Sequence, residues 1–212
     1  MLEIVPSVAS ADPLRLEACI RALGEGCPLH LDVEDGNFIP NITFGIKTIQ
    51  AVSSMATGEL DAHLMTTRPE DLLEPLYSCG IGRVCAHIET LPYPKQFLRH
   101  AQALGMQAGL ALNIKTPLIE LQPFAESLDY VLLMTSEADY GEQTFFAHSY
   151  ARIATARGLL GKHVPIWVDG GIGPERLKDL AAAGADTAIM GRAIFAQGDP
   201  MAARKRLLKI TE

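Results

Sequence analysis

The sequence lacks the features that identify a disulfide-rich, membrane-spanning or nucleic-acid-binding protein. Its 212 residues include four cysteines, Cys19, Cys27, Cys79 and Cys85, and no two of them form a C-x-x-C pair. In a chain of this length that pattern indicates buried thiols of a reducing compartment and argues against a disulfide framework. The 18 glycines and 13 prolines follow no period, which excludes collagen-like and low-complexity chains.

Long apolar runs and a surplus of positive charge are also missing. No apolar stretch reaches the roughly 18 residues that a membrane-spanning helix needs. The N-terminal residues show no basic segment followed by a long apolar run, so we expect no signal peptide and a cytoplasmic location. The 18 Lys and Arg residues are outnumbered by 25 Asp and Glu residues, giving a formal net charge of -7 at pH 7. This balance argues against nucleic acid or an anionic membrane as a partner, but it does not exclude a local phosphate site.

The composition is that of an ordinary globular protein, with 48% hydrophobic and 20% charged residues. Short apolar runs alternate along the chain with longer segments of helical periodicity. Eight apolar runs predict strands, which are Leu2–Ser7, Leu29–Val33, Leu60–Met65, Arg83–Ile88, Ala108–Asn113, Tyr130–Met134, Pro165–Asp169 and Thr187–Met190. The predicted helices lie near Pro13–Leu23, Lys47–Met55, Pro69–Cys79, Pro94–Leu104, Leu118–Phe124, Phe145–Arg157, Pro174–Ala183 and Met201–Lys209.

The predicted strands are nearly continuous apolar runs, which is typical of a parallel sheet covered by helices. Eight successive strand-helix units predict an α/β protein with the (β/α)8 barrel fold, the TIM barrel. A doubly wound open sheet is the alternative, and the number of strands favours the barrel. Because no linker or shift of composition divides the chain, we expect a single barrel domain over residues 1–212.

Polar side chains gather where several predicted strands end, which is where a barrel of this kind carries its chemistry. His30 and Asp32 are two residues apart on one strand and therefore point to the same face. With His63 and Asp169 they form a set of imidazole and carboxylate groups that suits one divalent ion of Zn, Mn, Fe or Co. The alternative is four separate polar residues that are satisfied by the backbone or by one another.

Asp32 and Asp169 follow strands that lie roughly across the mouth of such a barrel. Two carboxylates on opposite sides of a substrate carbon can each remove or return a proton, and a metal ion can stabilise the enediolate formed between the two transfers. This arrangement would invert a stereocentre beside a carbonyl group. The alternative for Asp169 is that it caps the helix that follows.

The loops after the last two strands favour a phosphate site. Gly170 and Gly171 follow strand seven, and Gly191 and Arg192 follow strand eight, as in the phosphate site of many barrels. Ordinary turns also require glycine, and Arg192 could equally be a solvated surface residue. Met65 and Met134, at strand ends, could form an apolar floor or simply pack in the core. The turn-rich segment 36–41 could close over a site.

These residues resemble the ribulose-phosphate 3-epimerase family. The resemblance covers nearly the whole chain in the family's order, and the block after the second strand is its most specific part. The matching segments are Pro6–Asp12, His30–Asn41, Thr43–Gly45, His63–Met65, Leu132–Met134, Val168–Gly171 and Gly191–Phe195.

The resemblance implies a metal-dependent epimerase, an isomerase that acts on ketose phosphates such as ribulose 5-phosphate and belongs to pentose phosphate and carbohydrate metabolism. It implies one divalent metal ion held by His30, Asp32, His63 and Asp169, with Asp32 and Asp169 as the acid/base pair. The implied substrate-binding residues are Ser7, His63, Met65, Met134, Gly141, Gly170, Gly171, Gly191 and Arg192. It also implies a homo-oligomer.

Two positions and one loop depart from the family's usual pattern. Glu34 stands where members usually carry methionine, and Arg192 stands where a small polar residue is usual. The phosphate loop after Met134, which includes the segment Ser136–Glu142, retains only Gly141 and Gln143 of the family's motif and gains acidic residues that would repel a phosphate dianion. We therefore expect an epimerase-like paralogue with an altered phosphate loop, which acts on a different ketose phosphate.

Two other functions compete with this one. A lyase or decarboxylase on the same fold often uses a lysine near the reacting carbon, but no lysine lies within a predicted strand. A non-catalytic sugar-phosphate-binding paralogue would explain Glu34 and the altered loop. The sequence does not decide whether His87 and Glu89 contact substrate or support the metal ligands.

Overall fold

Eight parallel strands form one closed sheet in the computed structural model, which describes residues 2–137, 143–196 and 198–211. The strands are β1 Glu3–Pro6, β2 Leu29–Glu34, β3 Leu60–Met65, β4 Arg83–His87, β5 Gln107–Leu112, β6 Tyr130–Met134, β7 Ile166–Asp169 and β8 Thr187–Met190. Each strand pairs with the next along the chain from β2 to β8. Strand β1 pairs with β8, and a parallel bridge between Ser7 and His30 closes the sheet against β2. The predicted barrel is confirmed, and the open-sheet alternative is wrong because its first and last strands would not pair.

Helices follow the strands around the outside of the barrel. They are α1 Leu16–Arg21, α2 Ile46–Met55, α3 Leu73–Ser78, α4 Pro94–Leu104, α5 Ser149–Leu160, α6 Leu177–Ala183, α7 Arg192–Phe195 and α8 Pro200–Thr211. Shorter 3-10 segments precede α1, α3 and α6, each with proline in its first turn.

Two predicted helices differ from the structure, one in its type and one in its first residue. The segment predicted at Leu118–Phe124 is a 3-10 helix over Leu118–Ser127, and Pro123 inside it cannot donate an α-helical hydrogen bond. The helix predicted from Phe145 begins at Ser149, because Phe146 donates its backbone N–H to Thr135 after β6. The short helix α7 was not predicted.

The core consists of two layers. An outer layer packs the helices against the strands, and a smaller cluster fills the inside of the barrel. At the end of the interior formed by the amino ends of the strands, the Tyr130 and Trp167 rings lie 5.0 Å apart. The Arg83 guanidinium lies 5.5 Å from the Trp167 ring centre. Gly109 makes room for this packing, because a Cβ there would lie 2.9 Å from the Tyr130 ring. These side chains fill the amino end of the barrel, so the cavity lies at the carboxyl ends of the strands.

All four cysteines are free thiols in the structure, as the sequence predicts. No helix in the described ranges is both long and apolar enough to cross a membrane.

Candidate metal centre and active site

Three pairs of inward-facing residues lie side by side on β2 and β3. The strand register sets His30 opposite Asp61, Asp32 opposite His63, and Glu34 opposite Met65. Because side chains alternate along a strand, all three residues of each strand face the barrel interior. The predicted metal ligands of these two strands are neighbours for this reason.

Asp169, at the end of β7, completes the predicted ligand set. One ligand atom from each of His30, Asp32, His63 and Asp169 lies within 4.8 Å of the others. The structure therefore brings together the four residues that the sequence analysis selected from three separate strands.

His30 is held between two carboxylates. Its Nδ1 lies 2.5 Å from Asp61 Oδ1, and its Nε2 lies 3.2 Å from Asp32 Oδ1. Burial alone would lower the pKa of the His30 ring, but the charges of Asp61 and Asp32 raise it well above its usual value. Asp61 therefore orients the ring from behind and leaves Nε2 directed toward the site, as carboxylates do behind metal-bound histidines. No role for Asp61 is predicted from the sequence, although its position two residues before His63 on the same strand is a usable signal.

His63 has one nitrogen engaged and one directed into the site. Its Nε2 lies 2.9 Å from His87 Nε2, and His87 Nδ1 lies 3.2 Å from Glu89 Oε2. Burial lowers the pKa of His87 to about 4, so this ring is neutral at pH 7. A neutral His87 that donates from Nδ1 to Glu89 accepts the Nε2–H of His63, which leaves the Nδ1 lone pair of His63 facing the site.

That lone pair provides the test of whether a metal ion fits. His63 Nδ1 is buried and has no hydrogen-bond partner in the part of the chain that the structure describes. It lies 3.5 Å from Asp32 Oδ1 and 3.7 Å from Asp169 Oδ2, both longer than a normal hydrogen bond. Burial lowers the pKa of His63, but Asp169 and Asp32 raise it above its usual value, so this position between two carboxylates favours positive charge, which a divalent ion would supply. The two histidines and two aspartates fit a divalent ion of the Zn, Mn, Fe or Co type.

The two aspartates have different proton affinities. Burial opposes ionisation of Asp32, but His30 and His63 keep its pKa well below the usual range. Burial and the charge of Asp32 raise the pKa of Asp169. The Ser7 hydroxyl donates to Asp32 Oδ2, so Ser7 anchors the carboxylate from the neighbouring strand end. A pair of carboxyl groups with different affinities is the usual requirement for one acid and one base.

A cavity of about 600 Å³ lies above the metal centre. The predicted site residues that line it are Ser7, Asp32, Met65, Met134, Asp169, Gly171, Gly191 and Arg192. Behind these residues lie His30 and His63, and Gly170 does not line the cavity. Gly141 lies outside the described residues, as does most of the altered phosphate loop.

The glycines after β7 have a packing role that the sequence did not show. Gly170 has a φ of +113°, and a Cβ on it would lie 2.3 Å from Ser136 Oγ. A Cβ on Gly171 would lie 2.5 Å from the Gln143 carbonyl oxygen. These glycines let the loop after β7 contact the segment that follows β6. Arg192 joins the same region by donating from Nη2 to the Gln143 carbonyl at 3.3 Å.

The segment after β2 forms one wall of the cavity, with Ile39, Pro40 and Asn41 among the lining residues. Asp35 holds it in place by accepting from the backbone N–H and hydroxyl of Thr67, each at 2.8 Å. Burial opposes ionisation of Asp35, but these donors and the backbone N–H groups of Asn37 and Phe38 together lower its pKa to about 2.

Glu34 is a further carboxylate of the cavity wall. Asn41 donates from Nδ2 to Glu34 Oε2 at 2.6 Å. Burial and the neighbouring Asp32 charge raise the pKa of Glu34 to about 7. Glu34 does not belong to the metal-binding group formed by the described residues.

Comparison with known proteins finds relatives that match nearly the whole chain. The model of the ribulose-phosphate 3-epimerase family matches residues 3–195. The cytoplasmic isoform of ribulose-phosphate 3-epimerase from Oryza sativa subsp. japonica is 35% identical, over 93% of this chain and 89% of that protein. The ribulose-phosphate 3-epimerase of Bacillus subtilis is 32% identical, over 94% of each chain.

Solved structures with lower identity share the fold. KGPDC from Streptococcus mutans has a TM-score of 0.76 at 10% identity, covering 100% of this chain and 97% of that one. Orotidine 5'-phosphate decarboxylase from Pyrococcus horikoshii has a TM-score of 0.72 at 18% identity, covering 98% of each chain.

Proposed function

Because the chain belongs to the ribulose-phosphate 3-epimerase family, a family of isomerases, we propose that it inverts C3 of a ketose phosphate by proton transfer between Asp32 and Asp169. The observation that carries the proposal is the placement of both carboxylates at one cavity, together with the two histidines of a metal centre. Each carboxyl group can reach a carbon held between them, one from the β2 side and one from the β7 side.

In the proposed reaction one aspartate removes the proton from C3, and the electron pair of that C–H bond moves toward the C2 carbonyl group. The other aspartate then delivers a proton to the opposite face of C3, so the configuration is inverted and the two aspartates exchange protonation states. His30, Asp32, His63 and Asp169 would hold a divalent ion, which would supply positive charge to stabilise the enediolate between the two transfers. Ser7 keeps Asp32 oriented through its hydroxyl group.

The proposed substrate is a ketose phosphate that resembles ribulose 5-phosphate. Gly171, Gly191 and Arg192 line the β7 and β8 side of the cavity and would receive the phosphate group. Glu34 and the altered loop after β6 favour a different ketose phosphate from ribulose 5-phosphate. A higher kcat/KM for ribulose 5-phosphate than for every other ketose phosphate tested would refute this substrate shift.

Proton NMR in deuterated water tests the chemistry. Metal-loaded protein should replace the C3 proton of its ketose phosphate with deuterium and form the C3 epimer, and a chelator should abolish both changes. Asp32→Asn and Asp169→Asn should each reduce epimerisation by about 10²- to 10⁴-fold. Each variant should still exchange the C3 proton that faces its remaining aspartate, provided that its metal content is unchanged.

The alternative is a sugar-phosphate-binding protein without turnover. Saturable binding of a ketose phosphate without C3 exchange, in metal-loaded protein, would favour it and contradict the epimerase proposal. A lyase or decarboxylase that uses a lysine is disfavoured, since no lysine is among the described residues that line the cavity.

We also propose a cytoplasmic location and a homo-oligomer. The plant relative is a cytoplasmic isoform, which supports the first. The second is what the resemblance to the epimerase family implies. A monomer in light scattering at micromolar concentration would contradict the oligomer.

A further inference from the structure

The cavity contains a carboxylate that neither metal binding nor proton transfer uses. Glu34 is the last residue of β2, lies opposite Met65 in the sheet register, and lines the cavity two residues beyond Asp32. We propose that Glu34 is a specificity-determining residue, which accepts a hydrogen bond from a hydroxyl group on the carbon chain of the substrate. This proposal rests on the proposed epimerase function, because it assigns the substrate's position in the same cavity.

The position of Glu34 is set before any substrate binds. Its backbone N–H donates to Thr43 Oγ1 at 3.0 Å, and the Thr43 hydroxyl donates to the Asp32 carbonyl oxygen. Asn41 holds Oε2 through its Nδ2 at 2.6 Å. A carboxylate has about four acceptor positions, so the contact with Asn41 leaves acceptor capacity for a ligand. The side chain is thus oriented on a strand end and stabilised by its own loop.

The charged groups around Glu34 determine which functional groups of a ligand it can bind. None of the ion pairs formed within the described residues involves Glu34, so it is not held by a cationic side chain. A phosphate group would be repelled by the nearby Asp32, and by Glu34 whenever Glu34 is ionised, and it is better placed toward Arg192 across the cavity. The hydrogen-bond donors that a ketose phosphate offers are its hydroxyl groups. Glu34 therefore fits a hydroxylated carbon of the chain, with the phosphate group directed away from Glu34 and toward Arg192.

The consequence is selectivity among ketose phosphates. A site that presents a half-buried acceptor, as Glu34 does, rejects a substrate that cannot satisfy it more strongly than an apolar floor would. A ketose phosphate that turns a hydroxyl group toward β2 satisfies Glu34, whereas one that turns a C–H group there leaves the carboxylate unsatisfied. The identity of residue 34 thereby distinguishes substrates that differ in the position or orientation of a single hydroxyl group.

The experiment combines variants at position 34 with deoxy analogues of the ketose phosphate that the wild-type protein turns over best. The analogues lack one hydroxyl group at a time on carbons other than C2 and C3. Glu34→Met, which keeps the chain length and removes both oxygens, should lower kcat/KM for the full substrate by about 10- to 100-fold. For one analogue the wild type and Glu34→Met should have equal kcat/KM, because the contact is already absent. Glu34→Gln, which keeps one acceptor, should restore part of the loss.

Two controls separate recognition from structural damage. Glu175→Gln removes a carboxylate from the β7 side of the same cavity and should leave the pattern across the deoxy analogues unchanged. The metal affinity of Glu34→Met, measured by chelator competition, should match that of the wild type.

Each outcome decides the proposal. If Glu34→Met lowers kcat/KM by the same factor for every analogue, or does not lower it for the full substrate, the role of Glu34 is overturned. Either result leaves the epimerase function intact. Absence of C3 exchange by the wild-type protein on every ketose phosphate overturns the proposed function, and this inference falls with it.

Discussion

At the residue scale, the buried histidines show how a small number of contacts prepares a metal site. His30 and His63 each use one ring nitrogen for a neighbour behind the site, Asp61 for the first and His87 for the second. Each contact fixes the ring orientation, so the other nitrogen faces Asp32. The His87–Glu89 pair lies behind the candidate ligand His63, and Glu89 is itself held by the backbone N–H of Asn113 at 2.9 Å.

This arrangement predicts that Glu89→Gln weakens metal binding. A glutamine that presents its amide N–H toward His87 reverses the tautomer of that ring and then removes the acceptor that His63 Nε2–H needs. We expect the metal affinity to fall by about 10- to 100-fold, as for other partners of metal ligands. Chelator competition with Zn²⁺ or Mn²⁺ measures it.

The matched control is Glu74→Gln, because Glu74 faces His100 at 3.9 Å on the protein surface. That pair is solvated and far from the site, so its loss should leave metal affinity unchanged. Equal affinity in wild type and Glu89→Gln would contradict the role assigned to Glu89.

At the element scale, the loops at the carboxyl end of the barrel depend on close contacts between neighbouring segments. Gly170 is the clearest case, since its φ of +113° and the nearby Ser136 both exclude a side chain. Gly158, inside α5, has nothing within 4 Å of a built Cβ and no positive φ. A methyl group at Gly170 would therefore clash with Ser136, whereas a methyl group at Gly158 would meet no neighbouring atom.

We expect Gly170→Ala to destabilise the protein by about 1–3 kcal/mol, because it adds backbone strain and a clash with Ser136. Gly158→Ala should instead stabilise α5 by about 0.5–1 kcal/mol. Urea unfolding of both variants measures the changes. A neutral Gly170→Ala would show that the loop after β7 can move away from Ser136.

The loop after β2 should respond to acid through Asp35. The pKa of this residue is about 2 in the folded protein, below its usual value of 3.8, so its ionised form stabilises the fold. That stabilisation is complete above about pH 4 and is lost as the pH falls toward 2. Asp35→Ala should therefore be less stable than wild type at pH 5, with a difference that shrinks on acidification. A difference that stays constant from pH 5 to pH 2.5, in urea unfolding, would rule out this account.

At the scale of the whole molecule, metal binding at the candidate centre should stabilise the folded barrel. The four candidate ligands come from β2, β3 and β7, so a bound ion links strands that are distant in the chain. An ion that binds only the folded state stabilises it by about 2.7 kcal/mol at one hundred times its Kd. We expect loading with a divalent ion to raise the Tm and a chelator to reverse the rise.

His63→Gln is the informative comparison for this effect. It removes the buried lone pair that faces the two aspartates, and it should lose the metal-dependent rise in Tm. A wild-type protein whose Tm is the same with and without metal would contradict a metal centre at this position.

Much of this protein could be predicted from the sequence because local rules dominate its elements. Strand β3 and strand β6 have the predicted limits, and α4 begins at Pro94 and ends before Gly105 as predicted. The 3-10 helix over Leu118–Ser127 was predicted as an ordinary helix because its periodicity is similar over so short a segment. The predicted start of α5 was too early. Phe145 and Phe146 still belong to the preceding loop, because Phe146 donates its backbone N–H to Thr135, the residue after β6.

The sequence by itself determined the barrel, the identities of the four candidate ligands and the polar end at which they gather. These follow from alternation along strands and from the order of strand-helix units, which are properties of neighbouring residues. The tertiary structure alone decided the partners. Asp61 behind His30, His87 behind His63 and Asp32 beside Ser7 are pairs 24 to 31 residues apart in the chain. Their contacts depend on strand register and on closure of the barrel, and no local pattern specifies the distance between two side chains on different strands.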